Sequence, residues 1–152
     1  MAENIKIICT NRKARHDYYV EDVIETGMVL TGPEVKSLRL GRANLKDSYA
    51  QVKGGEIFLL QTHISPYENS PLAEQQPTRM RKLLLHGREI KRLLGKVQEK
   101  GLTLVPLKLY FRNGKVKVEL ALAKGKKQYD KRETIRKRDE QRDLQRAIRE
   151  KK

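Results

Sequence analysis

The chain has 152 residues, of which 34 are lysine or arginine and 19 aspartate or glutamate, giving a net charge of +15 and a pI near 10. That length suits one domain with an ordinary core, and that charge calls for a polyanionic partner. A membrane, the rival polyanion, is disfavoured: no apolar run approaches the roughly 20 residues of a spanning helix, the basic stretches lack the apolar face of an interfacial helix, and residues 5–9 are too short an apolar run for a signal peptide.

In chain order, residues 1–10 read as a flexible lead-in, and 11–17 as a polar, basic segment before the first strand. Residues 18–25 alternate and are rich in β-formers (Tyr18, Tyr19, Val20, Val23, Ile24), which predicts a strand, broken at Gly27 and resumed after a bend or bulge. Thr31-Gly-Pro33 predicts a helix start, with proline where its missing N–H costs nothing and Glu34 in the first turn. Val35 and Leu38 would face inward, Lys36 and Arg39 would share another face, and Gly41 would end the helix. Residues 47–52 and 56–64 predict a hairpin around Gly54-Gly55. A long loop with three prolines follows over 65–78, and a surface insertion accounts for it as well as a functional loop does. Residues 79–86 set three cations beside three leucines. The clearest helix spans 87–100, with Ile90, Leu93, Leu94 and Val97 on one stripe and Gly101 as its stop. A second hairpin, 102–111 with 116–123, turns at Asn113-Gly114.

No strand–helix–strand alternation recurs, which argues against a parallel sheet. The expected fold is mainly β with helices: a small antiparallel barrel of the oligonucleotide-binding type, about six strands with peripheral helices, over residues 11–124. From 125 to 152 there are 12 cations and 6 anions, a net of +6, and the only aliphatic residues larger than alanine are Ile135, Leu144 and Ile148. Three such side chains cannot offset the entropy of ordering the segment, so the expectation is a basic tail that is disordered when free and helical when bound. As one helix, residues 126–152 would reach about 40 Å.

No chemistry of bond-making is legible. The run Lys124 to Gln128 resembles a phosphate-binding loop but has Leu120 in place of the first glycine and Lys127 in place of the hydroxyl residue. No nucleophile elbow or zinc-activated water signature is present, so the chain does not read as an enzyme, and no catalytic residue, cofactor or metal is assigned. His16, His63 and His86 lie far apart without ligand spacing, and Cys9, the single cysteine, fits a reducing cytoplasm. The cations instead concentrate over 79–82 and 124–132, and the second cluster encloses Tyr129. That combination suits phosphate contact with base stacking, and RNA is the partner it favours.

Five blocks occur in one order: NRKARHDY over 11–18, GPEVKSLR over 32–39, NLKDSYA over 44–50, RKLLL over 81–85 and AKGKKQYDKR over 123–132. Together they resemble the SsrA-binding protein (small protein B) family, the partner of transfer-messenger RNA in bacterial trans-translation. The resemblance implies a barrel that binds the tRNA-like domain of that RNA. It also implies a tail that occupies the decoding centre and empty messenger channel against small-subunit ribosomal RNA. By position it makes Asn11, Glu25 and Leu84 RNA contacts, and Asp130, Lys131 and Arg132 the ribosomal block of the tail. Without the resemblance Glu25 reads equally as a strand-end residue bonded to the barrel, and Leu84 as ordinary core. Arg12, Arg15, Lys36, Arg39, Arg79, Arg81 and Lys82 complete the body's expected RNA surface. Lys124, Gly125, Lys126 and Lys127 form its junction, and Tyr129 and Ile148 join the tail's set. A monomer in the cytoplasm is expected. The competing readings are a general ribosomal-RNA-binding barrel protein and an RNA-acting enzyme.

Overall fold

The computed structural model describes residues 4–72 and 75–126. Six antiparallel strands close into a ring. In ring order these are β8 (Thr103–Arg112), β4 (Tyr49–Lys53), β5 (Glu56–Leu60), β7 (Arg81–Leu84), β2 (Tyr18–Met28) and β9 (Lys115–Gly125), with β9 returning to β8. The arrangement is consistent with the expected oligonucleotide-binding type. A further strand, β1 (Ile5–Thr10), shares an edge of β8 with β4, which takes Leu104 while β1 takes 108–112. β3 (Ala43–Asn44) and β6 (His63–Ile64) form a separate short pair. The helices α1 (Arg12–Asp17), α2 (Gly32–Arg39) and α3 (Gly87–Lys100) lie outside the ring.

Strand alternation points one side of each strand into a shared core that includes Leu38, Leu45, Ile57, Leu59, Ile64, Leu83, Leu109, Val118, Leu120 and Leu122. α3 lays its stripe on that core, with Leu93 buried and Ile90 and Val97 partly so. β8 is buried on both sides because a second, smaller cluster (Ala14, Val105, Leu107, Ala121) seals its outer face beneath α1. Both hairpins turn where expected, at Gly54-Gly55 and at Asn113-Gly114, whose positive φ values of 50° and 81° suit a primed turn.

Several expectations need correction. Residues 5–10 are a strand rather than part of a lead-in. Ile8 and Cys9 pack on the core, and the pairing partner lies a hundred residues away, beyond the reach of local pattern. Burial pushes the Cys9 thiol up to about 11, so it stays protonated. The basic segment at 11–17 is helical from Arg12, started by Asn11, whose side chain accepts from the Ala14 amide at 3.2 Å. Gly27 does not break β2, which runs on to Met28; the register shift falls earlier, between Val20 and Asp22. The predicted strand over 56–64 is divided by Gln61, whose φ of 63° ends β5 before β6 begins.

α2 is fastened by a buried charge cluster. Thr31 and Glu34 form a capping box: the Glu34 amide donates to Thr31 Oγ1 at 3.4 Å, and Glu34 Oε1 accepts from the Thr31 amide at 2.9 Å. The same carboxylate takes Arg79 Nη2 at 2.6 Å and Arg81 Nη2 and Nε at 2.6 and 2.7 Å. Arg81 is fully buried, and its remaining donors reach the carbonyls of Thr62 at 2.7 Å and Pro77 at 3.0 Å. Burial pushes the Glu34 carboxyl up, but the hydrogen bonds from Arg79, the Thr31 amide and Arg81 outweigh it and hold the group below its usual 4.5. Removing one partner strands a buried charge, so Glu34→Ala should cost about 3–5 kcal/mol in denaturant unfolding at neutral pH. Because the folded-state pKa is depressed, the stability Glu34 contributes is complete above pH 4.5 and lost as pH falls through the folded value. The gap in stability between wild type and Glu34→Gln should therefore narrow on acidification below pH 4.5, which urea titrations at stepped pH will show.

Candidate nucleic-acid interface

The expected site residues fall into three groups: those that build the barrel, those on its free surface, and those outside the described residues. Asn11 belongs to the first. It is buried; besides capping α1, its amide group donates to the Pro106 carbonyl at 3.0 Å and the Leu45 carbonyl at 3.4 Å. Its backbone N–H donates to Leu107 O at 2.7 Å. β8 shifts register between Pro106 and Lys108, and the Pro106 and Leu107 carbonyls at that bulge are satisfied by Asn11. Its side-chain amide is thus engaged within the fold, where it clamps α1 to the β8 bulge.

Arg79 and Arg81 are likewise engaged within the fold. Both guanidinium groups are spent on Glu34, and Arg81 has no surface to offer a phosphate. A run of cations beside leucines looks alike in sequence whether its partner is an internal carboxylate or RNA. Lys82 pairs with Glu56 at 2.8 Å on a half-exposed surface.

The free cations lie elsewhere. Arg12 and Arg15 are exposed on α1, and among the described residues neither has an acidic partner. β9 ends beside them: Gly125 pairs with Tyr18, and the Lys126 ammonium donates to the Arg15 carbonyl at 3.2 Å while lying 5.1 Å from the centre of the Tyr19 ring. Lys124 is turned to Glu21 at 3.5 Å. One end of the barrel thus gathers exposed cations and an exposed tyrosine where the chain leaves β9. On α2, Lys36 and Arg39 are exposed; Lys36 lies 5.5 Å from the Tyr67 ring centre, and Arg39 lines a shallow hollow with Asn4, Lys6, Phe111 and Gly114.

Glu25 and Leu84 share the outer surface of β2 and β7. Glu25 Oε2 accepts a very short hydrogen bond from the Tyr110 hydroxyl and pairs with Arg112 Nη2 at 2.9 Å. Burial, reinforced by the Glu25 hydrogen bond and charge, pushes the Tyr110 hydroxyl up to about 12, so it remains a donor. Leu84 is 50% exposed, which sets aside the reading of it as core. Sequence reading missed Tyr110 and Arg112 here. The Asn113-Gly114 turn predicts which residues of β8 and β9 face each other, but nothing local says that Glu25 will reach β8's side chains.

Lys127, Tyr129, Asp130, Lys131, Arg132 and Ile148, with the expected order–disorder behaviour of the tail, lie outside the described residues. Among the described residues no group of three or more His, Cys, Asp or Glu could hold a metal ion, and no helix is long and apolar enough to cross a membrane.

A small antiparallel ring whose one end gathers an exposed tyrosine and cations that lack acidic partners among the described residues fits the class of nucleic-acid-binding barrels. The comparisons narrow it. The family model described as "SmpB protein" matches residues 8–150. An SsrA-binding protein of Acetivibrio thermocellus is 57% identical over 148 residues, covering 97% of this chain and 96% of the relative. One from Syntrophobacter fumaroxidans is 62% identical over 145 residues, covering 95% and 90%. A solved structure presented as "tmRNA-SmpB: a journey to the center of the bacterial ribosome" superposes with a TM-score of 0.65 at 52% identity, covering 78% of this chain and 83% of that one. The chain belongs to the SmpB family.

Counterion release makes the free cations measurable. Arg12→Ala with Arg15→Ala should flatten the logarithmic salt dependence of RNA affinity by about 1.5, at roughly 0.7–0.9 per lost phosphate contact. An unchanged slope in a folded double variant would place both arginines off the interface. Lys82→Ala, whose charge is shared with Glu56, should move the slope by less than half as much.

Proposed function

We propose that the chain binds the tRNA-like domain of transfer-messenger RNA and brings it to stalled ribosomes for trans-translation. The observation that carries this is relatedness over almost the whole chain to proteins named for binding SsrA RNA. The surface supports it: among the described residues Arg12 and Arg15 have no acidic partner, Lys126 and Tyr19 lie at the same end, and Leu84 is exposed next to Glu25. In this reading the protein is a cytoplasmic monomer in solution. It acts by binding and placing RNA rather than by making bonds.

We further infer a division of labour. Residues 11–124 supply the RNA-binding barrel, with β1 part of the same body. Lys124, Gly125, Lys126 and Lys127 form a junction. Residues 125–152 are a tail in which Tyr129, Asp130, Lys131, Arg132 and Ile148 serve the decoding centre and messenger channel against small-subunit ribosomal RNA. Five cations fall within 128–138 besides the three of 124–127, a density suited to a phosphate-lined channel.

The test removes the tail alone. Deleting residues 128–152 leaves every described core residue in place, since the buried residues of β9 end at Ala123. The truncated protein should keep most of its gel-shift affinity for transfer-messenger RNA yet fail to support peptide tagging on a ribosome carrying a truncated message. Near-normal tagging would sink the role given to the tail. Loss of RNA affinity with the barrel still folded would move the main contacts into it.

A further inference from the structure

β1 stands at the end of the sheet order: it pairs with β8 on one side, and among the described residues no strand pairs with the other. The alternation of an antiparallel ladder says which groups that open side presents. The Asn4 carbonyl accepts from the Asn113 amide at 2.9 Å, so Asn4 and Asn113 form a hydrogen-bonded pair. Along the register, Lys6 opposite Phe111 is the next such pair, while Ile5 opposite Arg112 and Ile7 opposite Tyr110 are of the other kind. The main-chain N–H and C=O groups of Ile5 and Ile7 therefore point away from β8, toward the open side. Beyond Ile7 the register shifts, and Ile8 and Cys9 pack on the core, which limits the exposed run to residues 4–7.

Two kinds of side chain flank this edge. Ile5 and Ile7 are 47% and 57% exposed, on the face they share with Arg112 and Tyr110. Lys6 lies on the opposite face, in line with Phe111, where it and Arg39 line a hollow of about 230 Å³ together with Asn4 and Gly114. No carboxylate lines that hollow, and neither cation has an acidic partner among the described residues. An unpaired edge that carries exposed isoleucines is a ready template for another strand.

From this geometry we propose that the β1 edge docks an extended segment of a partner protein in which one acidic residue is flanked by two apolar ones. Running antiparallel, as the paired strands of this sheet do, the segment exchanges main-chain hydrogen bonds with Ile5 and Ile7. Directly opposed residues share a face, so its two apolar side chains lie against the isoleucines. Its acidic side chain, opposite Lys6, turns into the hollow toward Lys6 and Arg39. The main-chain bonds supply affinity and the alternating side chains specificity. RNA fits this edge less well: its phosphates suit the two cations, but its backbone has no N–H and C=O groups at strand spacing and leaves the isoleucines uncovered. A second copy of the chain fits worse. Setting Ile5 against the copy's Ile7 puts Lys6 against Lys6 on one face, with a net charge of +15 on each molecule. The inference goes beyond the RNA-binding reading and does not depend on it.

The test uses the full chain and three capped pentapeptides in NMR titrations: Thr-Val-Glu-Val-Thr, Thr-Val-Lys-Val-Thr, and the first with both valines N-methylated. The glutamate peptide should shift the amides of Ile5, Lys6 and Ile7 and the methyls of both isoleucines. The lysine peptide should bind about tenfold more weakly, the value of one charge-assisted hydrogen bond. N-methylation removes the two donors that face β1 without altering charge, and it should weaken binding by at least as much. Lys6→Glu with Arg39→Glu should reverse the preference, so that the lysine peptide binds more tightly. Ile5→Pro removes an N–H that β8 does not use, a change an edge strand accepts, and should lower affinity several-fold with the rest of the amide spectrum intact. Equal binding of the glutamate and lysine peptides, indifference to N-methylation, or shifts located away from residues 4–7 would overturn the proposal. So would a uridine hexanucleotide that shifts the same amides at lower concentration than the peptide, which makes the hollow a phosphate site. Self-association in sedimentation that Ile5→Pro abolishes would overturn it too, by making the edge a contact between copies.

Discussion

The carboxylate of Glu34 is the point on which the barrel's irregular side depends. It caps the start of α2, binds both arginines of the segment leading into β7, and through Arg81 ties in the carbonyls of Thr62 and Pro77. A short helix and two connections, none of which buries enough apolar surface to fix itself, are thereby held to one strand of the ring. Ser37 adds a hydroxyl hydrogen bond to the Ser65 carbonyl at 2.6 Å in the same quarter. A buried ion pair stabilises little relative to apolar packing of the same shape, because desolvation offsets most of the attraction. Its worth here is registration: only one placement of α2 satisfies five donors on two oxygens.

That arrangement changes how the protein's charge is read. A net charge of +15 suggests a surface uniformly disposed toward RNA, but the cations are in different states. Arg79 and Arg81 are consumed inside the fold. Lys82, Lys96, Lys100 and Lys124 each face a carboxylate across a surface, where water and salt leave the attraction weak and the cation only partly committed. Arg12, Arg15, Lys36 and Arg39 are exposed without such partners among the described residues, and these are the charges whose field reaches outward. The RNA-facing surface is therefore drawn by where acids are absent as much as by where lysines and arginines are present.

The same economy governs the polar residues that family resemblance marks for RNA. Asn11 is engaged at the Pro106–Lys108 bulge and at the start of α1, which carries Arg12 and Arg15. Glu25 is engaged through Oε2, which takes both the Tyr110 hydroxyl and the Arg112 guanidinium. Leu84 is half exposed beside its β2 partner Gly27. The three thus differ in how far the fold itself occupies them, a difference that identical labels in a motif conceal.

Local physics was enough to place much of this structure from the sequence. Both glycine-bearing hairpin turns, the capped start of α2 and the amphipathic α3 follow from φ preferences, capping chemistry and periodicity, each of which acts within a few residues. The basic excess and the five ordered blocks carried the family, because they record residue identity and need no geometry. What stayed hidden was decided by partners distant in the chain. β1 is a strand because an edge of β8 was open to it, and 11–17 is a helix because a bulge near Pro106 and an apolar patch of Val105, Leu107 and Ala121 receive it. Arg81 is a structural residue because Glu34, 47 positions earlier, lies beside it in the fold. Charge and composition fix what a chain tends to meet; which of its charges remain free to meet it is settled only when the strands close and the internal acids choose their partners.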